Sequence, residues 1–243
     1  MNLIVINGPA GSGKDTVGKL IEKHANARCI AFADPMKTFA ATVFGFSPEQ
    51  LYGPSTTRNA EDPRWGNEDT RRAVTMNYLQ ARHAFLMEVV PPHYDALKIF
   101  NVGQHLDRWF TTVLSKATLT PRYVLQTLGT EWGRETVDDA IWIKYAVRRA
   151  TAILAVTGHK YVVITDCRFE NEATLSKQLG ATIWRVKRSA NHTAAAQNAG
   201  VVGHRSETEQ LSAAFEALVD VDLDNNGTLE ELEQRVADLV RHG

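Results

Sequence analysis

INGPAGSGKDT, Ile6 to Thr16, is one residue short of a standard phosphate-binding loop. The pattern G-x-x-x-x-G-K-[ST] fits from Gly8 to Lys14, but Asp15 stands where a hydroxyl residue is expected. A glycine-rich turn between an apolar strand and a helix aims backbone N–H groups at a phosphate. Gly8, Gly11 and Gly13 allow the backbone angles, with Ala10 and Ser12 between them, and Lys14 adds a cation for the β- and γ-phosphates. A chance glycine turn is the bland alternative. The apolar run LIVIN before the loop (Leu3 to Asn7) and the helical pattern after it argue against that.

Asp15 is the anomaly. A carboxylate beside a bare triphosphate repels it, so a cation must stand nearby. The candidates are the water shell of Mg²⁺, which that ion sheds reluctantly, and an arginine arriving with a second substrate. Thr16, one place later, offers its N–H and hydroxyl to an α-phosphate.

Outward from the loop, the chain alternates strand-like and helix-like runs. The strand candidates are Leu3 to Asn7, Cys29 to Ala33, Tyr161 to Thr165, Thr182 to Val186 and Leu218 to Leu223. The first three are almost continuously apolar, as parallel strands covered on both faces are. The alternation predicts an α/β layered fold with a five-stranded parallel sheet. Helix starts are marked by Ser47-Pro48 with Gln50, by Thr120-Pro121, by Asp138 and by Thr228 with Glu231; Ser206 with Glu209 forms a further capping box, and Gly180 reads as a helix C′ residue. Tyr52 to Arg72 and Arg188 to His204 read as long loops, of the kind that serve as lids or as plain surface insertions. The organisation expected is one domain over 1–243, with a substrate-binding insertion about 52–118 and a lid-like loop about 188–205.

Composition narrows the class. A 44% hydrophobic and 23% charged balance suits a soluble globular chain, and a net charge of −1 argues against a broad nucleic-acid face. The N-terminus has no basic segment and too short an apolar run for a signal or membrane span, so a cytoplasmic protein with no membrane partner is expected. Cys29 and Cys167 read as reduced structural thiols.

The loop's GKDT resembles that of the deoxynucleoside monophosphate kinases of tailed bacteriophages. FADPMK (Phe32 to Lys37), VLQTLGTEWGR (Val124 to Arg134), IWI (Ile141 to Ile143), ITDCRFENEA (Ile164 to Ala173), HRSE (His204 to Glu207) and NNGTLEEL (Asn225 to Leu232) resemble that family in order along the chain. The resemblance implies a P-loop kinase three-layer fold, with helices on both faces of the sheet, mobile lid and substrate-binding segments, and the sheet order second, third, first, fourth, fifth. It implies transfer of the ATP γ-phosphoryl to a (deoxy)nucleoside monophosphate with Mg²⁺, in a host cytoplasm. A homodimer is compatible with it.

Asp166 lies at a strand's C-terminal end, where ligands bind in open α/β sheets. It resembles the carboxylate that holds Mg²⁺ or its waters, and helix N-capping is the alternative. Mg²⁺ is expected near Asp15 and Asp166 through water, without direct protein ligands. Arg168, Asn171 and Glu172 follow as the implied acceptor neighbours. Asp34 and Lys37 are acceptor candidates too, though Asp34-Pro35 also suits a helix start. Trp132 either stacks on a base or fills the core; Arg134 either grips a monophosphate or forms a surface pair. Lys187, Arg188 and Arg205 flank the second long loop as lid candidates, or as a solvated basic edge. Other small-molecule P-loop kinases, phosphomevalonate- or dephospho-coenzyme-A-kinase-like, are the alternative enzymes.

The segment DLDNNGTLEELE, Asp222 to Glu233, fits an EF-hand loop and supports a rival reading as a Ca²⁺-binding module. The alternation of Val219, Val221 and Leu223 with aspartates instead indicates a strand.

Overall fold

The computed structural model describes residues 2–9, 11–189 and 212–242. Two compact units divide the chain: Met1–Phe32 with Ala146–Gly243, and Ala33–Tyr145.

The first unit holds a five-stranded parallel sheet in the order β2-β3-β1-β4-β5, as expected. The strands are β1 (Leu3–Asn7), β2 (Ala27–Ile30), β3 (Tyr161–Cys167), β4 (Thr182–Lys187) and β5 (Val221–Asp224). Helices α1 (Lys14–Ala25) and α11 (Leu229–His242) cover one face, where Ile4, Ile6, Val163, Trp184 and Val186 meet Val17, Ile21, Leu232 and Val236. The alternate residues Leu3, Val5, Val162, Ile164 and Ile183 are buried as well, so the sheet is covered on both faces and reads as continuous apolar runs. Helix α1 runs close to the sheet because it carries Gly18. A Cβ there would meet Thr165 Cγ2 at 2.7 Å.

The second unit is helical: α2 (Asp34–Phe44), α3 (Pro48–Tyr52), α4 (Ser55–Asn59), α5 (Glu68–Val89), α6 (Ala96–Leu114), α7 (Pro121–Thr127) and a π-helix (Leu128–Val137). Helix α8 (Ile141–Thr157) contributes residues 141–145 to the second unit and the rest to the first; α9 (Glu170–Gln178) and α10 (Ala213–Glu216) also belong to the first. The core of the second unit is aromatic. Phe39 stacks on Phe85 at 4.1 Å and Tyr78 on Phe110 at 3.8 Å. Trp65, Trp109, Trp132 and Trp142 each donate the indole N–H, to Lys116 O, Thr127 Oγ1, Val102 O and Gly129 O, which removes the penalty of burying a polar handle.

The local signals are realised where they are self-contained. Ser47 and Gln50 form a reciprocal capping box, Thr120 accepts from Tyr123 N, and Thr228 and Glu231 cap α11 reciprocally. Gly180 follows α9 with φ of 81°. Several expectations need correction. Strand β5 begins at Val221 rather than Leu218, because the N–H groups of Leu218 and Val219 bond back to Phe215 O and Glu216 O in the turn after α10. Tyr52 to Arg72 is not one long loop: α4 and the start of α5 lie in it, the latter capped by Asn67. The helix that Thr120-Pro121 starts passes at Leu128 into a π-helix that carries GTEWGR. Strand β2 begins at Ala27 and ends at Ile30, earlier than Cys29 to Ala33, because the backbone N–H of Phe32 bonds the Asp166 carboxylate instead of extending a ladder. The capping box of Ser206 and Glu209 lies outside the described residues.

Candidate functional site

At the C-terminal end of β1 the chain turns on Gly8, Gly11 and Gly13, whose φ angles are 153°, 77° and 98°. Side chains do not tolerate these angles. Space forbids them as well: a Cβ on Gly8 would lie 2.6 Å from both Ser12 Oγ and Val186 O. Gly13 is the N-cap of α1 and supplies no side-chain cap. The first N–H groups of α1, with the positive end of its dipole, are therefore left to an anion.

Three contacts hold the loop. Ser12 N donates to Pro9 O at 3.2 Å, the Asn225 amide donates to Ser12 O at 2.7 Å, and Arg188 Nη1 donates to Gly11 O at 3.4 Å. Ser12 Oγ and Arg188 Nε are buried without a hydrogen-bond partner among the described residues. Asn225 was not among the residues singled out for the loop. Its signal was the NNG turn, read only for the family resemblance and the EF-hand pattern.

Lys14 Nζ folds back onto Gly8 O at 2.6 Å and Pro9 O at 2.9 Å. Burial, then the Arg168 guanidinium, pull its pKa from 10.5 down to about 8, while Asp15 and Asp166 oppose the shift. Lys14 thus feels the charges of Arg168, Asp15 and Asp166 at the loop. Asp15 and Thr16 are both exposed in the first turn of α1.

Asp166, next to last in β3, accepts from Phe32 N at 2.7 Å, tying the end of β3 to the chain just after β2. It is not a helix N-cap; α9 begins after Phe169. Glu172, the third residue of α9, instead reaches back to the backbone that precedes the helix. It is buried, and its Oε2 accepts from Arg168 N at 2.7 Å and Phe169 N at 3.1 Å. Arg168 is exposed beside it, and Asn171 is half-buried in the first turn of α9.

In the second unit Asp34 is the first residue of α2, and Lys37 lies over the Tyr52 ring at 4.1 Å. Partial burial, then the Asp34 carboxylate, raise the Tyr52 pKa. Trp132 is buried against Phe85 and Trp142, so core packing accounts for it. Arg134 is half-buried on the π-helix. The sequence reading missed a further pair. Arg58 and Arg122 both donate to Ser55 Oγ, at 3.4 and 3.2 Å. They are 64 positions apart, so nothing local could reveal them.

Lys187 pairs with Asp222 at 2.9 Å, and Arg185 bridges Asp222 and Glu216. Ala10 and Arg205 lie outside the described residues, as does most of the lid-like loop 188–205. The EF-hand positions are dispersed. The Arg185 and Lys187 bonds hold the Asp222 pKa down to about 2, and Glu233 pairs with Lys23 and His24 on α1. Asp222 belongs to β5, and no three His, Cys, Asp or Glu side chains cluster as a metal site among the described residues.

Two viral proteins are similar to this chain. A deoxynucleoside-5′-monophosphate kinase of Escherichia phage T5 is 30% identical over 188 residues, 72% of each chain. A putative deoxynucleotide monophosphate kinase of Acanthamoeba polyphaga mimivirus is 26% identical over 240 residues, 99% of this chain and 96% of the relative. The deoxynucleotide monophosphate kinase family matches residues 2–236, nearly the whole length, and the chain belongs to that family.

Proposed function

We propose that the chain transfers the γ-phosphoryl group of ATP to the phosphate of a deoxynucleoside monophosphate, giving ADP and the diphosphate. The observation that carries this reading is the glycine turn ending in Lys14 at the uncapped N-terminus of α1. The loop amides hold the donor phosphates, and Lys14 leaves the Gly8 and Pro9 carbonyls for the β- and γ-oxygens. Phosphate brings negative charge to Lys14 and raises its pKa, so the protonated form is the bound form. Thr16 serves the α-phosphate.

The attacking group is an oxygen of the acceptor phosphate, whose second pKa is about 6. No general base is needed. The new bond joins this oxygen to the γ-phosphorus, the bond to the β-phosphate bridging oxygen breaks, and ADP carries the charge away. Catalysis is positioning and charge neutralisation. Lys14 and Arg168 supply fixed positive charge.

Bound Mg²⁺ supplies further neutralisation of the phosphates. Asp15 and Asp166 fit such an ion: both carboxylates act electrostatically on Lys14, and a magnesium that keeps its waters needs only one or two carboxylates. The acceptor monophosphate is assigned to Arg58 and Arg122, whose guanidinium groups converge on one hydroxyl; paired arginines suit an oxyanion. Asp34, Lys37, Arg134 and Asn171 keep the acceptor roles that the family resemblance implies. The chain acts as one kinase in a host cytoplasm, with the stretch about 52–118 serving the acceptor.

The test is a coupled turnover screen with ATP and Mg²⁺ over all ribo- and deoxynucleoside monophosphates. Turnover of at least one deoxynucleoside monophosphate, lost on removing Mg²⁺, is expected. Absence of turnover with every monophosphate overturns the reading.

A further inference from the structure

Helix α2 buries its aromatic rings. Phe39 and Phe44 pack into the aromatic core, on Phe85 and Phe46. Tyr52, the last residue of α3, does not join them and is 61% exposed. Lys37 of α2 lies over its ring, 4.1 Å from the centroid. A lysine over an exposed ring is a weak contact, so it does not by itself account for a tyrosine held in the open. The ammonium takes one side of the ring, and the exposed area leaves the other side to a flat partner.

The ring is held in a fixed relation to the paired arginines. Helix α3 ends at Gly53, whose N–H donates to Glu49 O at 2.9 Å, and a Cβ on Gly53 would lie 2.3 Å from that oxygen. Pro54 follows with its φ locked at −62°, and its carbonyl accepts from Arg58 N at 3.1 Å as α4 begins. Ser55 comes three positions after Tyr52, which keeps the two Cα atoms within about 11 Å. Arg58 and Arg122 converge on the Ser55 hydroxyl. A nucleoside monophosphate whose phosphate is held by these arginines therefore has its base within reach of the Tyr52 ring. Asp34, at the start of α2, acts electrostatically on the Tyr52 hydroxyl, so the acceptor candidates Asp34 and Lys37 border the same ring.

We propose that Tyr52 is the platform on which the nucleobase of the acceptor stacks. This deepens the acceptor reading above and rests on its assignment of the monophosphate to Arg58 and Arg122. The two arginines grip the phosphate, and the ring takes the flat base. Stacking needs only a π-face on the ligand, not a match of donors and acceptors. It acts equally on the bound substrate and on the transition state, because the base is remote from the transferring phosphoryl group. Its loss therefore appears in KM rather than in kcat.

Steady-state kinetics of the full chain at saturating ATP test this, with a deoxynucleoside monophosphate as acceptor. The competitor is 1,2-dideoxyribose 5-phosphate, which keeps the sugar and phosphate but has no base. Tyr52→Ala should raise the KM for the monophosphate about tenfold, the loss of one stacked base, with a far smaller change in kcat. The Ki of the baseless competitor should not move. Tyr52→Phe keeps the ring and should restore the wild-type KM, whereas Tyr52→Leu, which has no π-face, should behave like Tyr52→Ala. The side chain is exposed, and circular dichroism checks that each variant keeps the fold. An unchanged KM in Tyr52→Ala overturns the proposal. So does an equal weakening of the baseless competitor, or a Tyr52→Leu variant with the wild-type KM. Each of these results leaves monophosphate turnover by the wild type standing. A wild type that turns over no monophosphate overturns the acceptor reading and the platform with it.

Discussion

The side-chain amide of Asn225 donates to the carbonyl of Ser12 across 2.7 Å, joining the turn after β5 to the phosphate loop. The contact is tight enough that a Cβ on Gly13 would lie 2.3 Å from the same amide nitrogen. Asn225 therefore positions the loop without needing to touch the reacting atoms. Removing one such hydrogen bond is worth about 1 kcal/mol. Asn225→Ala should raise the KM for ATP about fivefold, with a smaller change in kcat. Steady-state kinetics at saturating acceptor checks this; an unchanged KM for ATP removes the role.

Lys14 carries the largest expected effect on the chemical step. Lys14→Met removes the charge aimed at the transferring group and should lower kcat by about a hundredfold to a thousandfold. Near wild-type turnover in a folded variant contradicts the loop assignment.

The same residue makes a pH prediction for the nucleotide-free protein. Its folded pKa of about 8 lies below the ordinary 10.5. Below pH 8 both the folded and unfolded chains hold the proton, and the folded state bears the full penalty of a buried charge. Between about 8 and 10.5 the unfolded chain binds the proton that the folded chain has lost, so stability rises with pH; above that window the penalty is gone. Relative to Lys14→Met, the wild type should gain up to about 3 kcal/mol across this window. Urea unfolding of both proteins at pH 7 and pH 10 measures it, and a constant difference rules it out.

Asp15 is exposed beside Lys14, where an uncompensated carboxylate repels phosphate. If it acts through hydrated Mg²⁺, Asp15→Asn should lower kcat at limiting Mg²⁺ and recover in part when Mg²⁺ is raised. If it acts through an acceptor-side arginine, the KM for the monophosphate should rise and Mg²⁺ should not repair it. Wild-type kinetics under both limiting conditions would leave Asp15 as a favourable charge on the α1 dipole, worth about 0.3–1 kcal/mol.

The pair on Ser55 separates acceptor from donor. Arg58→Ala and Arg122→Ala should each raise the KM for the monophosphate by about tenfold or more, as loss of a charge-assisted contact of about 1.5–3 kcal/mol implies. ATP binding measured by calorimetry should be unchanged. An altered ATP affinity with an unaltered acceptor KM refutes the assignment.

What the sequence determined by itself was local or periodic. The phosphate loop, the Ser47–Gln50 and Thr228–Glu231 caps, the Thr120 cap and the Gly180 helix end each depend on residues a few positions apart. The parallel sheet announced itself through continuous apolar runs, because burial on both faces leaves no polar alternation. The sheet order and the chemistry came from motifs recurring in family order. Tertiary structure decided the rest. It made Glu172 a buried cap and Trp132 a core residue. It brought Asn225 to Ser12 and Asp166 to Phe32 across 213 and 134 positions. It also divided the EF-hand pattern, binding Asp222 to Arg185 and Lys187 and Glu233 to Lys23 and His24. The physical reason is the same in each case: a polar side chain has several near-equivalent partners, and packing of distant strands and helices selects which one lies within hydrogen-bond reach.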